Sequence, residues 1–174
     1  EVGLAELIDA ALGTFRGALP AAPPPRVQVA GDPAVRLNVD PMQVEEVLLN
    51  LLRNGYEAMR ELPPAQRQLQ VEADAGAAEV RIAVVDRGAG LPEEVRARMF
   101  EPFFTTKPDG VGLGLAICKR VIEAHGGHIE IGDNAPGRGA RIAIVLPRAA
   151  VDAPGPAAAA ARAVPPAGGA VAHA

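Results

Sequence analysis

One long amphipathic segment, residues 41–62, constrains what this chain can fold into. Asp40 followed by Pro41 is a typical helix start, and the Pro63-Pro64 pair ends the segment. At about 100° per residue its apolar side chains share one broad arc, which predicts a helix that lies against a hydrophobic core. The residues of this arc are Val44, Val47, Leu48, Leu51, Leu52, Ala58, Met59 and Leu62.

The other elements are shorter and mix both kinds of secondary structure. Residues 1–19 carry apolar side chains at helical spacing, and further helices are predicted at 91–100 and 113–125. Strands are predicted at 26–29, 35–39, 69–73, 80–84, 129–131 and 141–146, with a hairpin turn at 75–78 and another through Pro136, Gly137 and Gly139. We therefore predict an α+β fold in which helices pack on one face of a largely antiparallel sheet.

Length, net charge, cysteine count and hydropathy exclude several classes of protein for this chain. The chain has 174 residues, enough for one domain, and its net charge of −4 without a basic block argues against a nucleic-acid surface. A single cysteine, Cys118, excludes an internal disulfide framework and fits the reducing cytoplasm. No apolar run approaches the roughly 20 residues of a membrane helix, so we expect no membrane contact by these residues. Without an initiator Met or a signal peptide, we expect a fragment, and a membrane anchor can lie upstream of it.

The C-terminal segment differs from the rest of the chain. From residue 149 onward, 13 of 26 residues are Ala, and seven more are Pro or Gly. The three valines in this segment cannot offset the entropy that ordering it would cost. We therefore predict a disordered tail over 149–174.

A narrow polar stripe flanks the apolar arc of the long helix. Asn is a poor residue for a helix interior, because its side chain competes for backbone hydrogen bonds. Two asparagines one turn apart on this stripe therefore indicate either a solvated flank or amide oxygens that face Mg²⁺ and its bound phosphates. The stripe consists of Gln43, Glu46, Asn50, Asn54, Glu57 and Glu61.

A second motif follows the predicted strand at 80–84. Asp86 is followed by Gly88 and Gly90, which permit a tight turn and a close backbone approach to a flat ligand. A carboxylate only accepts hydrogen bonds, so it suits an exocyclic amino group such as that of adenine. A solvated aspartate in an ordinary turn would give the same pattern.

A third, glycine-rich segment leads into the helix predicted at 113–125. Gly110, Gly112 and Gly114 expose backbone N–H groups at a helix start, which is a phosphate-binding arrangement. The spacing matches neither a Walker loop nor a Rossmann fingerprint. Phe100, Phe103 and Phe104 lie just before it and either anchor the segment to the core or contact a ligand. Thr105, Thr106 and Lys107 add hydroxyls and a cation, and Lys107 is either a phosphate partner or solvated.

In this order, the motifs resemble the histidine-kinase branch of the gyrase, Hsp90, histidine kinase and MutL ATPase superfamily. The asparagine box covers 46–55, the first glycine box 86–90, the phenylalanine box 100–107 and the second glycine box 110–114. The resemblance extends from residue 1 to about residue 148. The wording FEPFFTTK followed by GVGLGLAI is similar to kinases of the nitrogen-regulation and oxygen-sensing type.

The resemblance implies that the chain binds ATP and Mg²⁺. Asn54 would ligate Mg²⁺, Asn50 would contact phosphate, and Asp86 would hold the adenine amino group. The other ATP-binding residues it implies are Gly88 and Gly90 beside the base, Gly110, Gly112, Leu113 and Gly114 at the phosphates, and Thr105, Thr106 and Lys107 in a short lid over 105–109.

The resemblance also implies a fold and partners. The fold would be a Bergerat-type two-layer sandwich, with a mixed, mainly antiparallel sheet packed on three helices. Residues 1–20 would descend from an upstream dimerisation domain, and 21–148 would form the catalytic domain before the tail at 149–174. The implied enzyme is a protein-histidine kinase, a homodimer through the dimerisation domain, which phosphorylates a histidine there and serves a response regulator.

The phosphoacceptor histidine is not expected within these residues. His125 precedes a Gly126-Gly127 helix stop, His128 opens a strand, and His173 lies in the predicted tail. None of them is followed by an acidic residue on a dimerisation helix. Cys118 lies inside a predicted helix and is interpreted as a small buried hydrophobe, with a redox role as the alternative.

The chain departs from the family pattern at two positions, and the sequence also fits other functions. Gly55 stands where Ala is commoner, and Arg87 stands where Asn is common. A hydrolysing gyrase- or chaperone-type ATPase would carry a catalytic Glu one turn before the metal-ligating Asn, where this chain has Asn50, although Glu46 and Glu57 share its stripe. A serine-kinase anti-sigma factor is a smaller alternative, and the last one is a non-enzymatic ATP-binding regulatory module.

Overall fold

The structure, a computed structural model, describes residues 1–32, 34–107, 110–135 and 138–149. Its elements in chain order are β1 (Val2–Gly3), α1 (Leu4–Ala18), β2 (Arg26–Gly31), β3 (Arg36–Leu37), α2 (Pro41–Ala58), a 3₁₀ turn (Pro64–Gln66), β4 (Gln70–Ala75), β5 (Glu79–Val85), α3 (Glu93–Arg98), α4 (Gly114–Ala124), β6 (His128–Asp133) and β7 (Ala140–Pro147). The predicted tail beyond residue 149, residues 108 and 109 of the predicted lid, and Pro136 and Gly137 of the last predicted turn lie outside the described residues.

A five-stranded sheet forms one layer, with strand order β2-β4-β5-β7-β6. β2 pairs with β4 in parallel, and the other three pairs are antiparallel. The predicted hairpin at 75–78 joins β4 to β5. This mixed, mainly antiparallel sheet against a layer of helices confirms the predicted fold class.

The strand predicted at 35–39 is much shorter in the structure. Only Arg36 and Leu37 form a strand, and they pair with Val2 and Gly3 in a separate two-stranded sheet. Val35, Leu37 and Val39 are nevertheless buried, which explains the alternating pattern. The alternation reports burial of every second side chain, not membership of the main sheet.

The helix layer consists of α1, α2 and α4. Asp40 caps α2, because its Oδ1 accepts hydrogen bonds from the backbone N–H groups of Met42 and Gln43. The predicted arc is buried from Val44 to Leu52, and Met59, just after the helix, is buried as predicted. Leu49 and Gly55 are buried too. Ala58, predicted in the core, is exposed instead.

The long helix ends at Ala58 rather than at the predicted Leu62. The next backbone hydrogen bonds join residues three apart, from Met59 N to Tyr56 O and from Leu62 N to Met59 O. Arg67 then donates from Nε to the Leu62 carbonyl and from Nη2 to the Arg60 carbonyl. A tight turn with side-chain capping therefore replaces the last helical turn, and the apolar periodicity alone could not distinguish the two.

The N-terminal helix α1 shares the core with α2. Its buried residues are Leu4, Leu7, Ile8, Ala11, Leu12 and Phe15. The Phe15 ring meets the Tyr56 ring edge-on, with centroids 6.2 Å apart and planes at 78°. Residues 1–20 therefore pack as part of this unit, while their predicted continuation into a dimerisation domain stays a prediction.

On the face of the sheet that lies opposite the helices, ion pairs cover small buried side chains. Arg81 on β5 donates to Glu130 on β6, across the intervening strand β7. Ala143, the β7 residue opposite Glu130, is fully buried. None of the described helices is both long and apolar enough to cross a lipid bilayer.

The packing of α1 makes a prediction about stability. Phe15→Ala should lower the free energy of unfolding by about 3–5 kcal/mol, because it leaves a cavity between α1 and α2. Asp9→Ala, at an exposed position of the same helix, is the control and should change stability little. Urea unfolding measures both variants, and a loss below about 1 kcal/mol for Phe15→Ala would contradict the packing described.

Candidate functional site

A cavity of about 620 Å³ opens beside α2, and several sequence motifs meet there. Its walls come from α2, from the loop that follows β5, and from the segment between α3 and α4. Ten of the twelve predicted ATP-binding residues line it: Asn50, Asn54, Asp86, Gly90, Thr105, Thr106, Lys107, Gly110, Gly112 and Gly114.

Two predicted residues are not in the lining. Gly88 lies behind the cavity, where a Cβ atom would come within 2.6 Å of the Ala58 carbonyl oxygen. Its backbone N–H donates to Asp86 Oδ1 at 2.8 Å, so it supports the site through Asp86. Leu113 is the half-buried N-cap residue of α4 and does not line the cavity.

Asp86 lies at the end of β5 and is the one buried polar side chain among the described residues, at 6% exposure. Its Oδ1 accepts two backbone hydrogen bonds, from Gly88 N at 2.8 Å and from Ala140 N at 3.1 Å. Within the described part of the chain, no donor reaches Oδ2. The carboxylate thus has one fixed oxygen and one oxygen available to a ligand in the cavity.

Burial raises the pKa of Asp86, and the hydrogen bonds from Gly88 and Ala140 oppose this rise. The cause is desolvation, which disfavours the charged form. No cation is within hydrogen-bond distance of this carboxylate among the described residues. The site therefore keeps an acceptor in a poorly solvated place, where a neutral donor such as an amino group fits.

The polar stripe of α2 forms a chain of hydrogen bonds in the cavity. Asn54 Nδ2 donates to Asn50 Oδ1 at 2.6 Å, and Lys107 Nζ donates to Asn54 Oδ1 at 2.8 Å. Lys107 also pairs with Glu57 Oε2. The oxygens of Asn54 and Glu57 thus already hold one positive charge, that of the Lys107 ammonium group.

The glycine-rich segment fits closely against its neighbours. Gly112 has φ +74°, and a Cβ there would lie 2.5 Å from the Phe103 carbonyl carbon. Phe103 N donates to Gly112 O at 2.8 Å, and Phe103 itself has φ +67°. At Gly114 a Cβ would meet the Asn50 amide nitrogen at 2.6 Å. Small residues are therefore needed here to bring the start of α4 against α2.

The same segment presents backbone N–H groups at the start of α4. Gly110 N donates to Lys107 O, but the hydrogen bonds found among the described residues leave the N–H groups of Gly112 and Gly114 free. The first N–H groups of a helix have no partner within it, and the helix dipole makes this end positive. This end of the cavity therefore suits an anion such as phosphate.

Sequence reasoning missed the apolar part of the lining. Val84 and Ile142 are paired across β5 and β7 beside Asp86, and Val95 and Met99 lie on and just after α3. The register of β5 against β7 would have indicated the first two, but it cannot be read from one strand alone. These side chains give the end near Asp86 an apolar surface that suits a flat ring.

The two departures from the family pattern have structural consequences. Gly55 is buried in the cavity wall, and a Cβ there would lie 2.8 Å from Leu69 Cδ2 and 3.5 Å from Asp86 Cβ. Leu69 therefore fills the place of the missing methyl group. The Arg87 side chain is exposed and does not line the cavity, while its backbone N–H donates to Met59 Sδ.

The histidines and the cysteine lie outside the cavity lining. His125 Nε2 accepts from Asp40 N at 3.1 Å, and Nδ1 lies 2.7 Å from Val121 O, so this ring joins the ends of α4 and α2. His128 pairs with Glu130 on the sheet surface. Cys118 is buried, and burial raises the pKa of its thiol to about 12, so the thiol stays protonated. Metal-binding clusters of three or more His, Cys, Asp or Glu residues do not occur within the described ranges.

The raised pKa of Asp86 predicts how stability depends on pH. The unfolded carboxyl ionises near its ordinary pKa of 3.8, whereas the folded one holds its proton to higher pH. The stability contribution of Asp86 is therefore largest below pH 3.8, and it falls as the pH rises towards the folded pKa. Asp86→Asn removes this loss, so the variant should melt at a higher temperature than the wild type at pH 7.

Thermal unfolding of both proteins from pH 7 to below pH 3.8 measures this effect. The difference should shrink as the pH falls and the wild-type carboxyl is protonated in both states. Asp9→Asn, at an exposed position, should show no such trend. A difference between Asp86→Asn and wild type that stays constant with pH would contradict the burial argument.

Relatives of the chain share this combination of fold and motifs. The family described as "Histidine kinase-, DNA gyrase B-, and HSP90-like ATPase" matches residues 39–150. The sensor protein TdiS of Thauera aromatica is 41% identical over 108 residues, 61% of this chain and 20% of TdiS. The nitrogen regulation protein NtrY of Azorhizobium caulinodans is 41% identical over 117 residues, 66% of this chain and 15% of NtrY. The chain thus spans about a fifth or less of the length of these curated relatives.

Solved structures of histidine kinases are also similar to this chain. The catalytic domain of the histidine kinase ThkA, in a nucleotide-free form, is similar with a TM-score of 0.72 and 29% identity over 84% of this chain and 93% of that domain. Full-length ShkA in complex with AMPPNP is similar with a TM-score of 0.62 and 31% identity over 82% of this chain and 30% of ShkA. ThkA in complex with the response regulator protein TrrA gives a TM-score of 0.70 and 27% identity over 85% of this chain and 41% of that chain. The resemblance seen in the motifs is confirmed, and the chain belongs to the histidine kinase-, DNA gyrase B- and HSP90-like ATPase family.

Proposed function

We propose that this chain is the ATP-binding catalytic domain of a cytoplasmic, two-component sensor histidine kinase. It would transfer the γ-phosphoryl group of Mg-ATP to a histidine on an upstream dimerisation domain, for relay to a response regulator. The observation that carries the proposal is that Asp86, the Asn50–Asn54 pair and the glycine-rich segment line one cavity. A base-binding end and a phosphate-binding end thus lie within reach of one nucleotide.

The adenine base would lie at the Asp86 end. Asp86 Oδ2 would accept a hydrogen bond from the exocyclic amino group, because Oδ1 is already held by two backbone N–H groups. The ring would lie against Val84, Ile142 and Met99. Gly90, with φ +84°, turns the loop after Asp86 around this end of the cavity.

The triphosphate would lie at the start of α4. Gly112 and Gly114 would donate their free backbone N–H groups to it, and Gly110 can do so once it releases the Lys107 carbonyl. Thr105 and Thr106 would add hydroxyl donors from the cavity wall. Asn50, whose amide nitrogen lies against Gly114, would contact the same phosphates.

Asn54 would ligate Mg²⁺ through its amide oxygen. This oxygen fits a cation, since in the structure it accepts a hydrogen bond from the Lys107 ammonium group beside the Glu57 carboxylate. Mg²⁺ accepts sparse protein ligation because phosphate oxygens and water complete its shell. When bound, it would neutralise charge on the phosphates; Lys107 would have to leave Asn54 and could then face the triphosphate.

In the proposed step, an unprotonated imidazole nitrogen of the acceptor attacks the γ-phosphorus. A P–N bond forms, the bond from the γ-phosphorus to the β,γ-bridging oxygen breaks, and ADP leaves with that electron pair. Asn50 is an amide and cannot act as a general base. The residues of this chain would therefore act by positioning the nucleotide and excluding water. Phe103 and Val111, both exposed in the segment between α3 and α4, would offer an apolar surface to an acceptor domain.

The alternative function is ATP hydrolysis, and Glu57 is the residue that would support it. Glu57 is a carboxylate in the lining besides Asp86, but it follows Asn54 along α2 and is paired with Lys107. A hydrolase would release ADP and phosphate steadily without any acceptor domain. A kinase domain alone would bind ATP and release little of either product.

The central prediction concerns the destination of the phosphoryl group. The chain alone should bind Mg-ATP without labelling itself, because His125 and His128 lie outside the cavity lining. When the upstream dimerisation domain of the same parent protein is added, its histidine should acquire acid-labile label from [γ-³²P]ATP. Label on His125 or His128 of the isolated chain, or steady phosphate release without an acceptor, would overturn the proposal.

A second prediction concerns the metal ligand. Asn54→Ala should abolish transfer and should weaken ATP binding mainly in the presence of Mg²⁺, because it removes a ligand of the metal rather than of the base. Calorimetric titrations with Mg²⁺ and with EDTA separate these effects. Asn38→Ala, an exposed asparagine outside the cavity lining, is the matched control and should change neither titration. An equal loss in both titrations would assign Asn54 to the nucleotide or to the fold.

A further inference from the structure

Residues on either side of the turn between β6 and β7 also hold Asp86, namely Ala140 at the start of β7 and Asn134 just after β6. Asp86 N donates to Ala140 O at 3.0 Å, and Ala140 N donates back to Asp86 Oδ1 at 3.1 Å. Asn134, just after β6, donates from Nδ2 to the Asp86 carbonyl oxygen at 2.8 Å. The side chain of Asp86 therefore depends on Ala140, and its carbonyl group depends on Asn134.

The close approach of Asn134 depends on a glycine in the same turn. Gly139 has φ +125°, and a Cβ there would lie 2.0 Å from the Asp86 carbonyl oxygen. Any other residue would push the turn away from Asp86. With glycine at this place, the Asn134 amide reaches a carbonyl of a residue that is only 6% exposed.

The geometry separates the role of the Asn134 side chain from that of its backbone. Asn134 N donates to Gly139 O at 3.1 Å, which closes the turn by itself. The Nδ2 group also approaches Arg138 O, but at 3.4 Å, a longer contact than the one to Asp86. The short hydrogen bond of this side chain is therefore made to Asp86, the residue that faces the base end of the cavity.

We propose that Asn134 is a positioning residue for base recognition, which fixes the Asp86 peptide and thereby aims Oδ2 at the amino group of an adenine ring. The proposal rests on the function proposed above and extends the base-reading site to Asn134. Without the Asn134 amide, the buried Asp86 carbonyl loses its donor and has to turn towards water. Because the carboxylate is attached to the same residue, its free oxygen would move as well.

The test compares ATP with purine riboside triphosphate, which carries hydrogen in place of the amino group. Calorimetry gives the affinities of wild type, Asn134→Ala, Asn134→Asp and the control Asn38→Ala for both nucleotides. Asn134→Asp keeps the size of the side chain but replaces the N–H donor by an oxygen that cannot donate. Thermal melting of each variant shows that it is folded at the temperature of the titration.

The wild type should bind ATP about tenfold or more tightly than the analogue, because only ATP offers Oδ2 a donor. Both Asn134 variants should bind ATP about fivefold more weakly and bind the analogue within about twofold of wild type. Asn38→Ala should leave both affinities unchanged. This loss of discrimination is a result that a purely structural role of Asn134 would not give.

Other results of the same titrations would contradict the proposal. Equal weakening for both nucleotides, an unchanged ratio, or unfolding of both Asn134 variants would assign Asn134 to the fold and overturn the proposal. If the wild type bound both nucleotides equally, the adenine assignment of Asp86 would fail first, and the role of Asn134 would fail with it. ATP binding by the wild type together with unchanged discrimination in the variants would leave the proposed function standing and remove only this inference.

Discussion

The structure depends on burying one carboxylate, that of Asp86, at the end of a central strand. A buried charge without partners is costly, so the chain has to bring backbone donors to it from two directions. Gly88 supplies one N–H group from the loop after β5, and Ala140 supplies the other from the start of β7. The antiparallel pairing of β5 with β7 is what brings these two distant parts of the sequence together. The site is therefore built into the sheet, and it does not rest on the loops alone.

A second constraint connects the sheet side of the site to the helices. Asn50 on α2 lies so close to Gly114 that no side chain fits at the start of α4. This contact aligns the polar stripe of α2 with the free N–H groups of the glycine-rich segment. His125 then fixes the other end of α4 to the start of α2 by accepting from Asp40 N. The helix α4 is thus held at both ends, against the middle and the start of α2, and the end of the cavity proposed to bind phosphate has a defined position relative to Asp86.

The sequence predicted the elements that have strong local patterns, and it missed features that depend on pairing. The apolar arc of α2 up to Leu52, the capping by Asp40 and the glycine after α4 are local, and each was predicted at its place. The partner of residues 35–39 was not, because apolar alternation does not say which strand lies alongside. The same limit applies to Val84 and Ile142, which join the cavity only through the register of β5 and β7. Asn134 gave no signal at all, since an asparagine in a turn is usually explained by the turn itself.

The two ends of the cavity differ in how easily they can rearrange. At the proposed base end, the contacts of Asp86 are buried, and one of its two backbone donors belongs to β7, so moving the carboxylate would disturb the pairing of β5 with β7. At the phosphate end, the Lys107 and Glu57 side chains are 44% and 50% exposed, and an ion pair so exposed contributes only about 0–1 kcal/mol. A nucleotide that entered would therefore meet a preformed base site, while the lysine could leave Asn54 at little cost. In the proposed function, the sheet would recognise the base, and the segment before α4 would adjust around the phosphates.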